Sequence, residues 1–156
     1  MAKLLADDFR EFLKLCNRRR VKYLLIGGYA VNYYGHSRTT ADMDVWIEAT
    51  PENAKRIVDV LTEFGFGSAE LLSEQLFLEP GQIVRMGYPP VRLEILNEIS
   101  GVYFAACYKA RHRAKIDGIR VDLISLPDLK KNKAASARLK DLDDLEHLAG
   151  LGNGLR

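Results

Sequence analysis

The sequence predicts a single α+β domain with a mixed β-sheet flanked by helices. Three observations support this prediction. Helical segments alternate with short apolar strands in the first half of the chain, two hairpins follow in the second half, and no linker or repeat divides the 156 residues. That length is near the commonest size of one domain. We expect residues 1–149 to form the domain and the glycine-rich residues 150–156 to form a flexible tail.

The first half of the chain alternates between helix and strand. Apolar residues at helical spacing and two short apolar runs predict a helix at residues 4–16, a strand at 21–26, a helix at 29–34, a strand at 42–47 and a helix at 51–64. Thr50 and Pro51 are typical of a helix N-cap and first helical position, and Gly65 is typical of a helix end. Gly27-Gly28 is expected to form the turn between the first strand and the second helix.

The second half is expected to contain two hairpins and a long helical end. The predicted elements are strands at residues 83–87 and 91–96, a helix at 102–110, strands at 113–116 and 119–124, and a helical region from 126 to 148 with one break near Ala134. Asp117-Gly118 is a strong signal for a two-residue hairpin turn. Ser125 has the residue type of a helix N-cap.

Composition excludes several classes of protein. A hydrophobic fraction of 47% with 28% charged residues is typical of a soluble globular domain. Cys16 and Cys107 have no partner at metal-ligand spacing, so we expect buried free thiols in a reducing compartment. No segment is apolar enough to be a signal peptide or membrane span, which predicts a cytoplasmic protein without a membrane partner. The net charge of +2 does not by itself indicate a polyanionic partner, and each basic cluster is interpreted as solvated surface.

Two carboxylates lie two residues apart on the second predicted strand. Since strand side chains alternate between faces, Asp42 and Asp44 project to the same side. Their mutual repulsion costs free energy unless a cation offsets it, and Mg²⁺ or Mn²⁺ prefers oxygen ligands of this kind. The alternative is a strand edge with two solvated acids, which a lone Asp-x-Asp triplet does not exclude.

The residues before this pair favour a site that holds phosphates. At Gly27-Gly28 the small residues allow a phosphate to approach backbone N–H groups, although a tight turn without a ligand is the alternative. The order of elements is strand, glycine turn, short helix and an Arg38-x-Thr40-x-Asp42-x-Asp44 strand. This order resembles the nucleotidyltransferase superfamily. The resemblance implies a nucleotidyltransferase-type sheet, a nucleoside triphosphate substrate and a divalent metal.

Two motifs are similar to one branch of that superfamily, the bacterial AbiEii-like nucleotidyltransferases associated with toxin–antitoxin systems. They are the Arg38 to Asp44 stretch and a C-terminal segment with Lys133, Arg138, Asp141 and Asp144. The likeness implies a tRNA end, a protein hydroxyl or a small molecule as acceptor, and a cognate toxin or antitoxin as partner. It also implies that Gly27, Gly28, Arg38, Thr40 and Lys133 contact the nucleotide.

Enzymes of this type use a third acid on a neighbouring strand. Glu94 lies at the centre of an apolar strand, where a buried acid is costly without a partner. Asp122 is the rival candidate, and Glu94 is favoured. The metal and catalytic set is therefore Asp42, Asp44 and Glu94. The superfamily more often has aspartate at the third position, and glutamate is longer by one methylene.

Other polar residues have simpler interpretations. Lys133 and Arg138 are expected on one helix, where they either reach triphosphate oxygens or belong to a surface of ion pairs. Helix packing is favoured over base stacking for Tyr33 and Tyr34, and a surface position is favoured for His112.

Three functions fit these patterns. Metal-dependent nucleotidyl transfer to an acceptor hydroxyl, with release of pyrophosphate, is the leading hypothesis. The alternative is an inactive nucleotide- or partner-binding module that keeps the fold. The third, a sugar-nucleotide transferase, does not require the glycine turn.

Overall fold

The computed structural model describes residues 6–35, 42–65, 72–88 and 91–149. Within them the helices are α1 (Asp7–Arg18), α2 (Gly27–Tyr33), α3 (Pro51–Phe64), α4 (Phe104–Lys109), α5 (Leu126–Ser136) and α6 (Leu139–Ala149). The strands are β1 (Tyr23–Ile26), β2 (Asp42–Ile47), β3 (Ile83–Tyr88), β4 (Val91–Leu96), β5 (His112–Ile116) and β6 (Ile119–Leu123). A short 3₁₀ turn, Glu74–Phe77, precedes β3.

The strands form one mixed sheet in the order β3-β4-β2-β1-β6-β5. Strand β1 is antiparallel to β2 and parallel to β6, and β2 is parallel to β4. The two hairpins, β3-β4 and β5-β6, form the outer pairs. The predicted α+β fold with a mixed sheet flanked by helices is confirmed.

The centre of the sheet is also the centre of the core. All four residues of β1 are buried, as are Met43, Val45, Trp46 and Ile47 of β2. Trp46 packs edge-to-face on Phe104 of α4, with ring centroids 5.2 Å apart. Because β1 and β2 are fixed on both sides, residues at their ends are held on a rigid support.

Most predicted elements are present, with shifted ends. Helix α3 begins where predicted, because Thr50 Oγ accepts a hydrogen bond from the Asn53 N–H, and Gly65 ends it in the left-handed conformation. Helix α4 is shorter than predicted. Helix α2 begins at Gly27 rather than at residue 29, so the two glycines are its first residues rather than a turn before it.

The C-terminal helical region breaks three residues later than predicted. Ala137 has φ +51, the left-handed conformation that ends α5, and α6 starts two residues later. The prediction that Lys133 and Arg138 share a helix was wrong, because Lys133 lies on α5 while Arg138 lies in the break. Hydrogen bonds to Asp141 from Ser136 and Arg138 hold the break in place.

Cys16 and Cys107 are buried free thiols, as predicted. Among the described residues, no helix has the length and apolarity needed to cross a membrane.

Candidate active site

Sheet pairing brings three acidic side chains together on one face. On the parallel ladder of β2 and β4, Asp44 lies opposite Glu94, and Asp42 lies two residues before Asp44 on the same face. The rival third acid, Asp122, lies on β6, which β1 separates from β2. We call Asp42, Asp44 and Glu94 the carboxylate cluster.

The backbone of α2 packs directly against this cluster. Gly27 has φ +66, a conformation that favours glycine, and a Cβ at this position would overlap Oδ2 of Asp44. The glycine is therefore required for the approach of the Asp44 carboxylate. This role is steric, and it differs from the phosphate contact that the sequence predicts for Gly27.

Asp44 and Glu94 share a hydrogen bond that sets their protonation. Burial, followed by the hydrogen bond and negative charge of Glu94, raises the pKa of Asp44 from its usual 3.8 to about 7. The nearby Lys140 opposes this rise. Burial disfavours the charged form of Glu94, but hydrogen bonds from Asp44 and Arg85 lower its pKa overall. In the metal-free protein Asp44 is therefore the proton donor and Glu94 the acceptor.

One oxygen of the cluster fits a cation. Oδ1 of Asp44 is buried and has no hydrogen-bond partner, an unfavourable state that a hard cation would relieve. Carboxylate oxygens are the ligands that Mg²⁺ and Mn²⁺ prefer. Across residues 6–35, 42–65, 72–88 and 91–149, however, no three acidic, histidine or cysteine side chains form a ready-made metal site.

Two arginines explain why the cluster is not ready-made. Arg92, the ladder partner of Asp42, donates to both of its carboxylate oxygens, from Nε at 3.1 Å and Nη2 at 2.9 Å. Arg85, the ladder partner of Glu94 on β3, donates from Nε to Oε1 at 2.7 Å. Each arginine supplies the positive charge that a metal would otherwise bring. Asp42 must leave Arg92 before all three carboxylates can share one cation.

A cavity of about 460 Å³ opens over two members of the cluster, Asp44 and Glu94, and Asp42 is not among its lining residues. It has the size of a small-molecule site. Its lining includes Gly27 and Gly28, the side chains of Asp44 and Glu94, and the cations Arg85, Lys133, Arg138 and Lys140. We call it the carboxylate cavity, and the cations give it the charge that binds a phosphate chain.

Lys133 is held deeper than a solvent-exposed phosphate ligand. It is only 3% exposed, and its Nζ lies 3.0 Å from Asp141 Oδ1 and 3.1 Å from Asp144 Oδ2. Burial raises the pKa of Asp141. Hydrogen bonds from Arg138, Ser136 and Lys133 outweigh burial and keep that pKa well below its usual value. The cluster of Lys133, Asp141 and Asp144 ties α5 to α6. A phosphate contact by Lys133 stays a prediction.

Arg138 is better placed to act in the cavity. Its hydrogen bond to Asp141 raises the pKa of its guanidinium, and the negative charges of Asp44 and Glu94 add to that rise. Its side chain is 65% exposed. Asp141 orients Arg138 by accepting a hydrogen bond from its Nε at 2.6 Å, although the two do not lie on one long helix.

Two predicted nucleotide ligands, Arg38 and Thr40, lie outside the described residues. Sequence reasoning also missed two site residues, Arg85 and Arg92. Arg92 has a signal, because it lies two residues before Glu94 and must share its strand face. Arg85 follows from the predicted hairpin of residues 83–87 and 91–96, whose strands pair Arg85 with Glu94.

Comparison with known proteins places this geometry in context. Residues 5–153 match the family described as "Nucleotidyl transferase of unknown function (DUF2204)". A search of curated proteins gives no match to the sequence.

Solved structures with a similar fold include a lincosamide antibiotic adenylyltransferase, LnuA, in its lincomycin-bound form. That structure has a TM-score of 0.61 at 14% identity, covering 96% of this chain and 99% of that chain. The solution structure of the antibiotic-resistance factor ANT(2'')-Ia has a TM-score of 0.61 at 13% identity, with 94% and 84% coverage. A Thermotoga maritima nucleotidyltransferase has a TM-score of 0.59 at 16% identity, with 94% and 91% coverage. At these identities the likeness is one of fold.

Proposed function

Because the chain belongs to this family of nucleotidyl transferases, we propose that it transfers a nucleoside monophosphate from a nucleoside triphosphate to an acceptor hydroxyl. One observation carries the proposal. Asp44 packs against Gly27, shares a proton with Glu94 and keeps one buried oxygen without a partner, at the base of a cation-lined cavity. This arrangement is costly for a protein that binds nothing there.

We assign the metal to Asp42, Asp44 and Glu94. Bound Mg²⁺ or Mn²⁺ would neutralise triphosphate charge and make the acceptor hydroxyl more acidic. The hydrogen bond between Asp44 and Glu94 supports this assignment, because it brings two of the three carboxylates into contact. Asp42 completes the set once it leaves Arg92.

Arg92 and Arg85 then acquire a second role. In the metal-free protein they neutralise Asp42 and Glu94. When these carboxylates turn to a cation, the guanidinium groups are released, and Arg85 already lines the cavity. A guanidinium binds phosphate oxygens in the same forked geometry as a carboxylate. We propose that both arginines exchange their carboxylates for the triphosphate.

The chain's own groups suffice to position the transfer. The acceptor oxygen attacks the α-phosphorus, the bond to the bridging oxygen breaks, and pyrophosphate leaves. Glu94 accepts the proton of the hydroxyl. Arg138 and Lys140 stabilise the negative charge that develops on the leaving group. Gly27 and Gly28, with Arg38, Thr40 and Lys133, are the further proposed nucleotide contacts.

Release of pyrophosphate tests the transfer. The assay takes each of the four nucleoside triphosphates with Mg²⁺ or Mn²⁺ and three acceptor pools: transfer RNA, purified proteins and hydroxylated small molecules. Mass spectrometry then identifies the acceptor that gains a nucleotide. We expect one pool to be labelled with wild type and the signal to fall by at least about a hundredfold in Asp44→Asn.

Matched variants show whether the pyrophosphate signal comes from this protein or from a contaminating enzyme. Glu94→Gln should bind nucleotide but lose transfer, and Glu146→Gln, an exposed acid on α6, should behave as wild type. A wild-type signal that survives unchanged in Asp42→Ala/Asp44→Ala would contradict the proposal.

The second candidate function is a binding module without turnover. The two arginine–carboxylate pairs favour it, since they neutralise the cluster without a metal. Calorimetric titration with a nucleotide in the presence of Mg²⁺, combined with the pyrophosphate assay, separates the two. Tight binding with no labelled acceptor in any pool favours the module.

A toxin–antitoxin role and an AbiEii-like kinship rest on the Arg38 to Asp44 and Lys133 to Asp144 motifs alone. We propose that the chain is one half of such a pair. Induced expression in bacteria tests this idea. Growth arrest that depends on Asp44 supports a toxin. Growth that is restored when this chain is co-expressed with the toxin of its own pair supports an antitoxin.

A further inference from the structure

A second cavity, of about 630 Å³, lies beside the carboxylate cavity. Tyr33 and Tyr34, at the end of α2, form one wall, and Arg111 and His112 form another. Leu126 and Pro127, at the start of α5, supply apolar lining. We call it the aromatic cavity. Its volume lies in the range of small-molecule sites.

The two cavities share their supporting elements. The Ile124 N–H donates to the Leu25 carbonyl, so the start of α5 lies next to the end of β1. Helix α2 begins at the carboxylate cavity and ends at the aromatic one, a length of about 10 Å for seven residues. A ligand in the aromatic cavity would therefore lie near the proposed nucleotide without occupying its site.

The aromatic wall is built in a fixed geometry. The Tyr33 and Tyr34 rings meet edge-to-face with centroids 5.2 Å apart, and the His112 ring lies 5.5 Å from Tyr33. Tyr34 Oη donates to the Ile124 carbonyl, which fixes that ring for the fold. Tyr33 is different, because it is 38% exposed and its hydroxyl lies 3.0 Å from a side-chain atom, His112 Nε2, rather than from the backbone of the core. A tyrosine that packs so little is available for a ligand.

The charge of the cavity indicates the sign of that ligand. Arg111 stacks on Tyr108 at 4.0 Å and donates from Nη1 to the Tyr108 carbonyl at 2.7 Å, while its buried Nε faces Asp122. The buried Asp122 lies 3.7 Å from Arg111 and 3.4 Å from Arg113, so one carboxylate faces two guanidinium groups. No acidic side chain is among the described residues that line the cavity. An ammonium group here would meet neutral partners such as the tyrosine rings and would be repelled by Arg111, whereas an anion would be attracted to Arg111.

We infer that the aromatic cavity is a second binding site, for a planar aromatic ligand that carries a negative charge. The rings contact its faces, Arg111 binds its anionic group, and the Tyr33–His112 pair offers polar contacts at the edge. The inference goes beyond nucleotidyl transfer, because such a ligand can bind whether or not the carboxylate cavity turns over.

Two probes of equal shape test the sign of the charge. Indole-3-carboxylate and indole-3-carboxamide differ by one negative charge and are titrated against the full chain by calorimetry and saturation-transfer NMR. We expect the carboxylate to bind roughly tenfold tighter, the difference between a charge-assisted and a neutral hydrogen bond. Absence of binding, or equal affinity for both probes, would overturn the inference.

Variants and competition test the location. Tyr33→Leu should weaken carboxylate binding about tenfold, while Tyr103→Leu, a tyrosine 84% exposed outside both cavities, should leave it unchanged. A non-hydrolysable triphosphate with Mg²⁺ should not displace the probe. Displacement, or unchanged binding in Tyr33→Leu, would assign the probe to another site and contradict the inference.

A final experiment distinguishes an acceptor substrate from a separate effector as the ligand of the aromatic cavity. Hydroxylated aromatic acids are incubated with the protein, a nucleoside triphosphate and Mg²⁺. A nucleotidylated product identifies the aromatic cavity as an acceptor site. Binding at Tyr33 with no product identifies it as a site for a separate effector, and this result stands even if the proposed transfer fails.

Discussion

At the residue scale, Asp44 explains most of the site. Its pKa of about 7 follows from burial and from the carboxyl group of Glu94, and it makes the metal-free cluster a reservoir for one proton. Gly27 has no side chain and so leaves room for the same carboxylate. A buried acid with a raised pKa destabilises the fold at neutral pH, and such groups are concentrated at functional sites.

Replacing Asp44 should therefore stabilise the metal-free protein. Native Asp44 keeps a proton that the unfolded chain releases, so its contribution to stability falls as pH rises from about 4 to about 7. We expect Asp44→Asn to raise the free energy of unfolding at pH 8 by on the order of 1–3 kcal/mol, and by less at pH 5. Urea unfolding without divalent metal measures both, with Glu146→Gln as the control. A destabilised variant at pH 8 would contradict this account.

Metal binding should depend on the same proton. A cation at Asp44 must displace the shared proton, so affinity rises with pH and levels off above about 7. We expect the apparent Mn²⁺ dissociation constant to fall roughly thirtyfold between pH 5.5 and pH 8. Electron paramagnetic resonance of free Mn²⁺ measures it. Glu94→Gln removes the negative charge beside Asp44. Its Mn²⁺ affinity should be lower than that of wild type and should stop rising at a lower pH. A flat wild-type profile counts against the shared proton.

At the element scale, the β2-β4 and β3-β4 ladders set the state of the cluster. The register pairs Asp42 with Arg92 and Glu94 with Arg85. The sheet itself therefore supplies the positive charge that a metal would otherwise bring. The sequence predicts β3 and β4 as one hairpin, and the structure pairs Arg85 with Glu94 across it. The Arg92–Asp42 contact was missed because it depends on which strands are neighbours, and short-range patterns do not determine that order. The Arg85–Glu94 contact was missed because predicting a hairpin does not by itself fix the register that pairs these two residues.

Arg92→Gln should change two affinities in opposite directions. Arg92→Gln removes one positive charge that competes with a cation for Asp42, so Mn²⁺ should bind about threefold tighter in the absence of nucleotide. A non-hydrolysable triphosphate should bind about tenfold weaker, because one phosphate contact is lost. Calorimetry measures both, and Arg19→Gln, an exposed arginine paired with Glu63, is the control. If both affinities fall together, Arg92 has only a structural role.

Helices α5 and α6 depend on the buried cluster of Lys133, Asp141 and Asp144. Lys133→Met leaves two buried carboxylates without their ammonium, which should cost about 3–5 kcal/mol. Lys131→Met, an exposed lysine on α5, should cost less than about 0.5 kcal/mol. Urea unfolding at pH 7 compares the two variants. Equal stabilities would show that the cluster does not hold the helices together.

At the scale of the whole molecule, the fold could be predicted from local patterns. Apolar runs, Thr50 and Asp117-Gly118 located strands, a cap and a hairpin, because these signals act within a few residues. The break at Ala137 was misplaced because it depends on the Asp141 contacts rather than on local propensity. The Lys133 environment could not be predicted for the same reason, since its partners lie on another helix.

The two cavities lie at the two ends of α2, with Gly27 and Gly28 lining the carboxylate cavity and Tyr33 lining the aromatic cavity. This placement lets one rigid frame carry a carboxylate cluster and an aromatic pocket close together. The similar fold of LnuA and of ANT(2'')-Ia extends over most of this chain. At 14% and 13% identity this likeness is one of fold, and the function of this chain depends on its own side chains.

The central claim is that Asp42, Asp44 and Glu94 bind one cation with the nucleotide. A crystal structure with Mn²⁺ and a non-hydrolysable triphosphate, read by anomalous scattering, tests it most directly. We expect a metal peak with oxygens of all three carboxylates at about 2.0–2.3 Å, and Arg92 turned from Asp42 to the phosphates. A peak elsewhere, or an Asp42 still bound to Arg92 beside a bound nucleotide, would contradict the claim.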